Sequence, residues 1–158
     1  MPEWEEKVDR IKEVLEQEIH MTLTKQGLPL QGSDKRYNFD LVSPDQKIVI
    51  EVKTEKYEGG NPTSAVVRLS EACLLLIAAK NAKKRILVLT DEPLYKLFKE
   101  ERQGKMMALL GIEIRFIKIQ SLLNASRKSA RVPAEACGIK VEGKNKWLTL
   151  IQNASKNH

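Results

Sequence analysis

The stretch Asn38-Phe39-Asp40-Leu41-Val42-Ser43-Pro44-Asp45-Gln46-Lys47-Ile48-Val49-Ile50-Glu51-Val52-Lys53-Thr54 decides the fold. Two apolar runs, Phe39–Val42 and Ile48–Val52, flank a polar Ser-Pro-Asp-Gln-Lys segment, which is the pattern of a β-hairpin with a short loop. Side chains alternate faces along a strand, so Glu51 and Lys53 share one face while Ile50 and Val52 share the other. A four-residue loop, Pro44–Lys47, or a tighter one at Asp45-Gln46, sets Ser43 opposite Ile48, Val42 opposite Val49 and Asp40 opposite Glu51. A slip of one residue would put Asp40 among the aliphatic side chains instead. The favoured register predicts Phe39, Leu41, Ile50 and Val52 on a core face, with Asp40, Glu51 and Lys53 together on the opposite face.

Two carboxylates held that close repel unless a cation lies between them, and their hard oxygens suit Mg²⁺ or Mn²⁺. A metal there polarises a phosphodiester and lowers the pKa of a bound water. Lys53, one step along the face, orients that water or stabilises charge on the phosphate. The competing reading is a solvated outer face on which Lys53 merely pairs with Asp40 or Glu51, an interaction worth little. An isolated Glu-X-Lys would carry that reading. An aspartate at hairpin spacing, between aliphatic runs, favours a site.

Asp40, ten intervening residues and then Glu51-Val52-Lys53 resemble the core motif of the PD-(D/E)XK nuclease superfamily, which includes restriction endonucleases, Holliday-junction resolvases and RecB-like nucleases. The resemblance implies a restriction-endonuclease-like α/β fold, a mixed β-sheet flanked by helices with an αβββαβ core, and Mg²⁺-dependent cleavage of DNA. Carried over by position, Asp40 and Glu51 would hold the metal and Lys53 would be the catalytic lysine. Asn38 stands roughly where the name-giving proline falls, which is a departure from the pattern. Many members also place a glutamate from the first helix beside the metal. Glu5 matches that position best, after the aromatic Trp4, with Glu6 as the near alternative; a merely solvated acidic face is the default reading for any single one of them.

At 158 residues the chain is one domain with enough length for a real core. No apolar run approaches the ~20 residues that cross a bilayer. The acidic start, Met-Pro-Glu-Trp-Glu-Glu, is unlike a signal peptide, so an intracellular protein of the cytoplasm or nucleoid, without membrane association, is expected. Cys73 and Cys137 lack metal-ligand spacing and read as free thiols. His20 and His158 are the only histidines, which excludes histidine-centred zinc sites and Ser-His-Asp chemistry. The formal charge of +6 is uneven: residues 1–120 hold 20 Lys and Arg against 19 Asp and Glu, and residues 121–158 hold 7 against 2. A basic end on a near-neutral core suggests a polyanion partner, although solubility alone is a sufficient cause.

Around the hairpin, Trp4, Val8, Ile11, Leu15 and Ile19 recur at helical spacing and predict a helix from Glu3 to about Met21. Leu28 and Leu30 suggest an irregular first strand, and Gly32-Ser33-Asp34 a turn. Lys35 and Arg36 lead into the hairpin, where they contact a phosphate backbone or simply begin a strand. Gly59-Gly60 lies in a loop that ends at Asn61 as an N-cap, with Pro62 opening a helix to Lys80. Arg68 on that helix is a candidate phosphate contact, or the partner of Glu71 or Ser64. Arg85–Thr90 reads as a strand buried on both faces. Asp91 then caps a helix opened by Pro93, running to Leu110 and closed by Gly111, before a strand over Ile112–Ile119.

The expected organisation is a nuclease-like core over residues 1–120 and a small basic extension over 121–158, packed through Trp147, Leu148 and Leu150. Arg127, Lys128 and Arg131 in the extension are candidate nucleic-acid contacts. The expected activity is Mg²⁺-dependent (or Mn²⁺-dependent) endonucleolytic hydrolysis of duplex or branched DNA, of resolvase or restriction type. Cutting two strands takes two sites, so a homodimer is expected. The alternative is a non-catalytic nucleic-acid-binding protein on the same fold.

Overall fold

The central hairpin forms from β2 (Arg36–Val42) and β3 (Ile48–Lys53), in a computed structural model that describes residues 1–119. Leu41 faces Ile50 and Val42 faces Val49, the register anticipated from the loop length. The Ser43 N–H donates to the Ile48 carbonyl (3.0 Å), and the Gln46 N–H closes the turn on the Ser43 carbonyl (2.9 Å). Ser43 is fully buried yet satisfied: its hydroxyl accepts from the Ile48 N–H at 3.0 Å and donates to Asp45 at 2.6 Å. The expected basic extension, with Arg127, Lys128, Arg131 and Trp147, lies outside the described residues.

β1 (Thr24–Pro29) pairs antiparallel with β2 and is longer than the irregular strand anticipated around Leu28 and Leu30. Its register is even from Pro29 opposite Arg36 to Gln26 opposite Phe39, and then Thr24 faces Val42. Asp40 and Leu41 therefore stand opposite the single residue Lys25. This is a β-bulge, and it shifts the alternation of side chains by one. Phe39 and Leu41, two residues apart, turn to opposite faces of the sheet: Phe39 packs with Leu28, Val49, Leu69 and Leu87, and Leu41 packs with Ile11, Ile50 and Ile86. The expectation that Phe39 shares a face with Leu41, Ile50 and Val52 is corrected accordingly.

The rest of the chain covers both faces of this hairpin. α1 (Glu3–Ile19) lays Ile11, Leu15 and Ile19 against Leu41, Ile48, Ile50 and Val52. α2 (Pro62–Ala78) lies on the other face, started by Asn61, whose side chain accepts the Thr63 N–H at 3.0 Å. Its last turn is closed by Arg85, which donates to the Leu76 carbonyl (2.7 Å) and the Ala79 carbonyl (3.2 Å). β4 (Lys84–Leu89) then pairs parallel with β3, and β5 (Ile112–Phe116) pairs parallel with β4. The strand order is β1-β2-β3-β4-β5.

Between β4 and β5 the sequence predicts one helix, and the structure has two. α3 (Glu92–Glu100) is capped by Asp91, and α4 (Arg102–Leu109) follows a break at Glu101, whose ψ of 151° is extended. Gly104 explains the corner: a Cβ there would lie 1.8 Å from the Phe98 carbonyl oxygen. The end of α3 and the start of α4 approach more closely than any other residue allows. Phe98 and Met107 are thereby drawn into the core beside α2.

The result is an α/β protein whose five-stranded mixed sheet is flanked by helices, α1 on one face and α2, α3 and α4 on the other. No helix among the described residues is long and apolar enough to cross a membrane. Cys73 is a buried free thiol within α2.

Candidate functional site at the open end of the hairpin

Beyond Leu41 and Ile50 the two strands of the hairpin diverge, and side chains take over the backbone donors. The Val52 N–H, which a continued ladder would send to the facing strand, donates to Asp40 Oδ2 at 2.9 Å. The Asp40 N–H donates to Glu51 Oε1 at 3.2 Å. The bulge makes this possible, because Asp40 shares its β1 partner with Leu41 and has no place of its own in that ladder. Each carboxylate is thus fixed by a backbone amide of the opposing strand. Lys53 completes the group, its ammonium 3.5 Å from Glu51 Oε2.

Electrostatics set these residues apart from ordinary surface charges. Glu51 is only 2 % exposed, while the Lys53 side chain is 31 % exposed. Burial, and next the negative charge of Asp40, push the Glu51 pKa up to about 7; Lys53 and the Asp40 amide oppose this without cancelling it. Tyr37 belongs to the same neighbourhood. Burial, followed by the charges of Glu51 and Asp40, pushes its hydroxyl up to about 12. Its ring is held edge-on to Phe39, with centroids 4.8 Å apart.

A buried carboxylate disfavoured by its neighbour is relieved in one of two ways, by a proton or by a cation. The backbone amides occupy Asp40 Oδ2 and Glu51 Oε1, and the Lys53 ammonium lies against Glu51 Oε2, so a metal would bind through Asp40 Oδ1 and share Glu51 Oε2 with Lys53. Among the described residues, no three or more of the Asp, Glu, His and Cys side chains are grouped for metal binding. Two carboxylates with water filling the other positions suit Mg²⁺, which gives up its water reluctantly. The donor set fits that ion.

The proton alternative gives a measurable pH dependence. Glu51 has an ordinary value of 4.5 and a folded value of about 7, so the folded chain holds this proton more tightly than the unfolded chain. In EDTA, stability is full below the ordinary value and falls as pH rises through the folded one, by at most about 3 kcal/mol. Urea midpoints from about pH 5 to about pH 8 test this, with Glu51→Gln expected to lack most of the decline. An identical decline in both proteins would assign it to other groups.

The remaining candidates are scattered. Glu5 is half-buried in the first turn of α1, Glu6 is exposed beside it, and neither joins a ligand group with Asp40 and Glu51 among the described residues. Lys35 is exposed, its backbone N–H on the Ser33 hydroxyl, and Arg36 donates to the Gly27 carbonyl at 2.7 Å. Arg68 donates to Glu55 at 2.9 Å and to Ser64 at 3.1 Å, so its carboxylate partner is Glu55 rather than Glu71. The place of Tyr37 beside Glu51 was not read from the sequence, because an unbroken alternation puts Tyr37 on the other face from Glu51. Once the bulge is known, Tyr37 and Phe39 fall on the Glu51 side.

Compared with protein-family models, with curated proteins and with solved structures, the chain finds no match.

Proposed function

We propose that the protein is a Mg²⁺-dependent endodeoxyribonuclease built on a restriction-endonuclease-like core. The observation that carries the proposal is the reciprocal clasp at the end of the hairpin: Asp40 on the Val52 amide, Glu51 on the Asp40 amide, and Lys53 on Glu51. The order α1, β1, β2, β3, α2, β4 also agrees with the helix–strand–strand–strand–helix–strand core that the Asp40…Glu51-Val52-Lys53 motif implies.

The chemistry divides among these residues. Asp40 and Glu51 would hold the ion, which would supply positive charge beside the phosphodiester and lower the pKa of a bound water. The two backbone amides keep both carboxylates from rotating away, so little reorganisation is needed when substrate arrives. Lys53, partly exposed at the edge of the group, places its ammonium against the phosphate or the attacking water. Tyr37 stays protonated at working pH beside Glu51. DNA is the proposed partner, and a two-fold homodimer would present two such sites to two strands.

A substrate panel tests this: supercoiled plasmid, linear duplex, four-way junction, flap and single strand, each with Mg²⁺, Mn²⁺ or EDTA. The expected result is cleavage of at least one of them with metal and none with EDTA. Binding without cleavage under every metal would favour the second reading, a non-catalytic nucleic-acid-binding protein.

A further inference from the structure

A cleft of about 550 Å³ opens at the carboxyl ends of β3, β4 and β5, beside the carboxylate group and distinct from it. The two meet at the end of β3, where Lys53 belongs to one and Thr54 lines the other. The ends of parallel strands are where open α/β sheets commonly receive ligands, and the volume is that of a small-molecule site, about 300–1,000 Å³.

The walls combine cations, hydroxyls and one aromatic ring: Lys7, Lys56 and Lys118, Thr54 and Thr90, and Phe116. Three carboxylates also line the cleft, but each is engaged. Glu3 pairs with Lys7 at 2.6 Å and Glu92 with Lys96 at 3.4 Å. Asp91 accepts from the Tyr57 and Leu94 amides at 3.0 and 3.1 Å. Lys56 and Lys118 are exposed, and among the described residues neither enters an ion pair. The cleft therefore presents two ammonium groups that enter no ion pair among the described residues, Lys56 also acting on the charge of Glu3, near two hydroxyls. Phe116 is stacked on Tyr95 with centroids 5.7 Å apart, which holds its ring as a fixed surface.

We infer that this cleft binds one nucleoside-phosphate unit of the substrate strand, next to the phosphate presented to Asp40, Glu51 and Lys53. Lys56 and Lys118 take the phosphate, Thr54 and Thr90 donate to its oxygens or to the sugar, and Phe116 supplies a face for the base. The inference rests on the nuclease proposal for its choice of ligand, and the two stand or fall separately in one experiment.

Binding of a fluorescent single-stranded oligonucleotide is followed by anisotropy in EDTA at several salt concentrations, and cleavage is followed separately with Mg²⁺. For the exposed pair Lys56→Ala/Lys118→Ala, about tenfold weaker binding is expected at low salt. The slope of log affinity against log salt should become shallower by about 1.4, two contacts at roughly 0.7 each. Deoxyadenosine monophosphate should displace the oligonucleotide from the wild-type protein at lower concentration than inorganic phosphate does. Unchanged affinity and slope in the double variant overturn the inference, even if the wild type cleaves DNA. Equal competition by inorganic phosphate overturns it too, leaving a plain anion site. A wild type that cuts nothing, with the binding difference intact, sinks the nuclease proposal and spares the cleft.

Discussion

Asp40→Asn abolishes metal-dependent cleavage, with an expected loss of about 10³-fold or more, equivalent to about 4 kcal/mol of transition-state stabilisation. The substitution is nearly isosteric, and the amide oxygen still accepts the Val52 N–H that Asp40 Oδ2 accepts in the native chain. What disappears is one negative charge, half of the pair that would hold the ion. Glu51 also loses the repulsion that contributes to its raised pKa, so its proton becomes easier to remove even as the metal site fails. Single-turnover nicking of plasmid, with circular dichroism to verify the fold, measures the effect. A variant within tenfold of the wild-type rate would remove Asp40 from the chemistry.

Gly104→Ala unfolds more easily by about 3–5 kcal/mol, a large part of the 5–15 kcal/mol that typically holds a domain together. The added Cβ would meet the Phe98 carbonyl oxygen at 1.8 Å, and the Phe98 carbonyl carbon at 2.7 Å. Both are backbone atoms, so no side chain can swing aside. α4 must lift from the end of α3, and Phe98 and Met107 lose part of their core contacts. Alanine is otherwise the better helix former, so propensity alone predicts a gain of up to about 1 kcal/mol. A denaturant midpoint at or above that of the wild type would show that close approach is not what turns the corner.

Much of the architecture is written in local patterns that physics reads one way. The Ser-Pro-Asp-Gln-Lys loop fixes its own length, and that length places Asp40 against Glu51. Asn61-Pro62 and Asp91 mark helix starts because each offers an oxygen to amides that lack partners. Two features escaped for a common reason, namely that each is decided by a partner distant in sequence. The bulge arises where β1 meets β2, so nothing within Phe39–Val42 announces it. The break at Glu101 answers the packing of Gly104 on Phe98, and it brings into one core Phe98 and Met107, which an unbroken helix would turn about 180° apart. The partners of Lys35, Arg36 and Arg68 likewise depend on which loop faces each side chain, which no spacing encodes.

The bonds that join Asp40 to Glu51 and to Val52 span at most twelve residues of chain, whereas β3 reaches β4 only after a crossover through all of α2. Short loops close quickly and long ones late, so the acidic pair belongs to the earliest part of the molecule able to organise. A nascent hairpin would bring two like charges together while water still screens them, because the burial that most raises the Glu51 pKa comes only when helices cover the sheet. The repulsion between Asp40 and Glu51 is thus deferred to the last stage of assembly, where a proton, or a cation held between them, would relieve it.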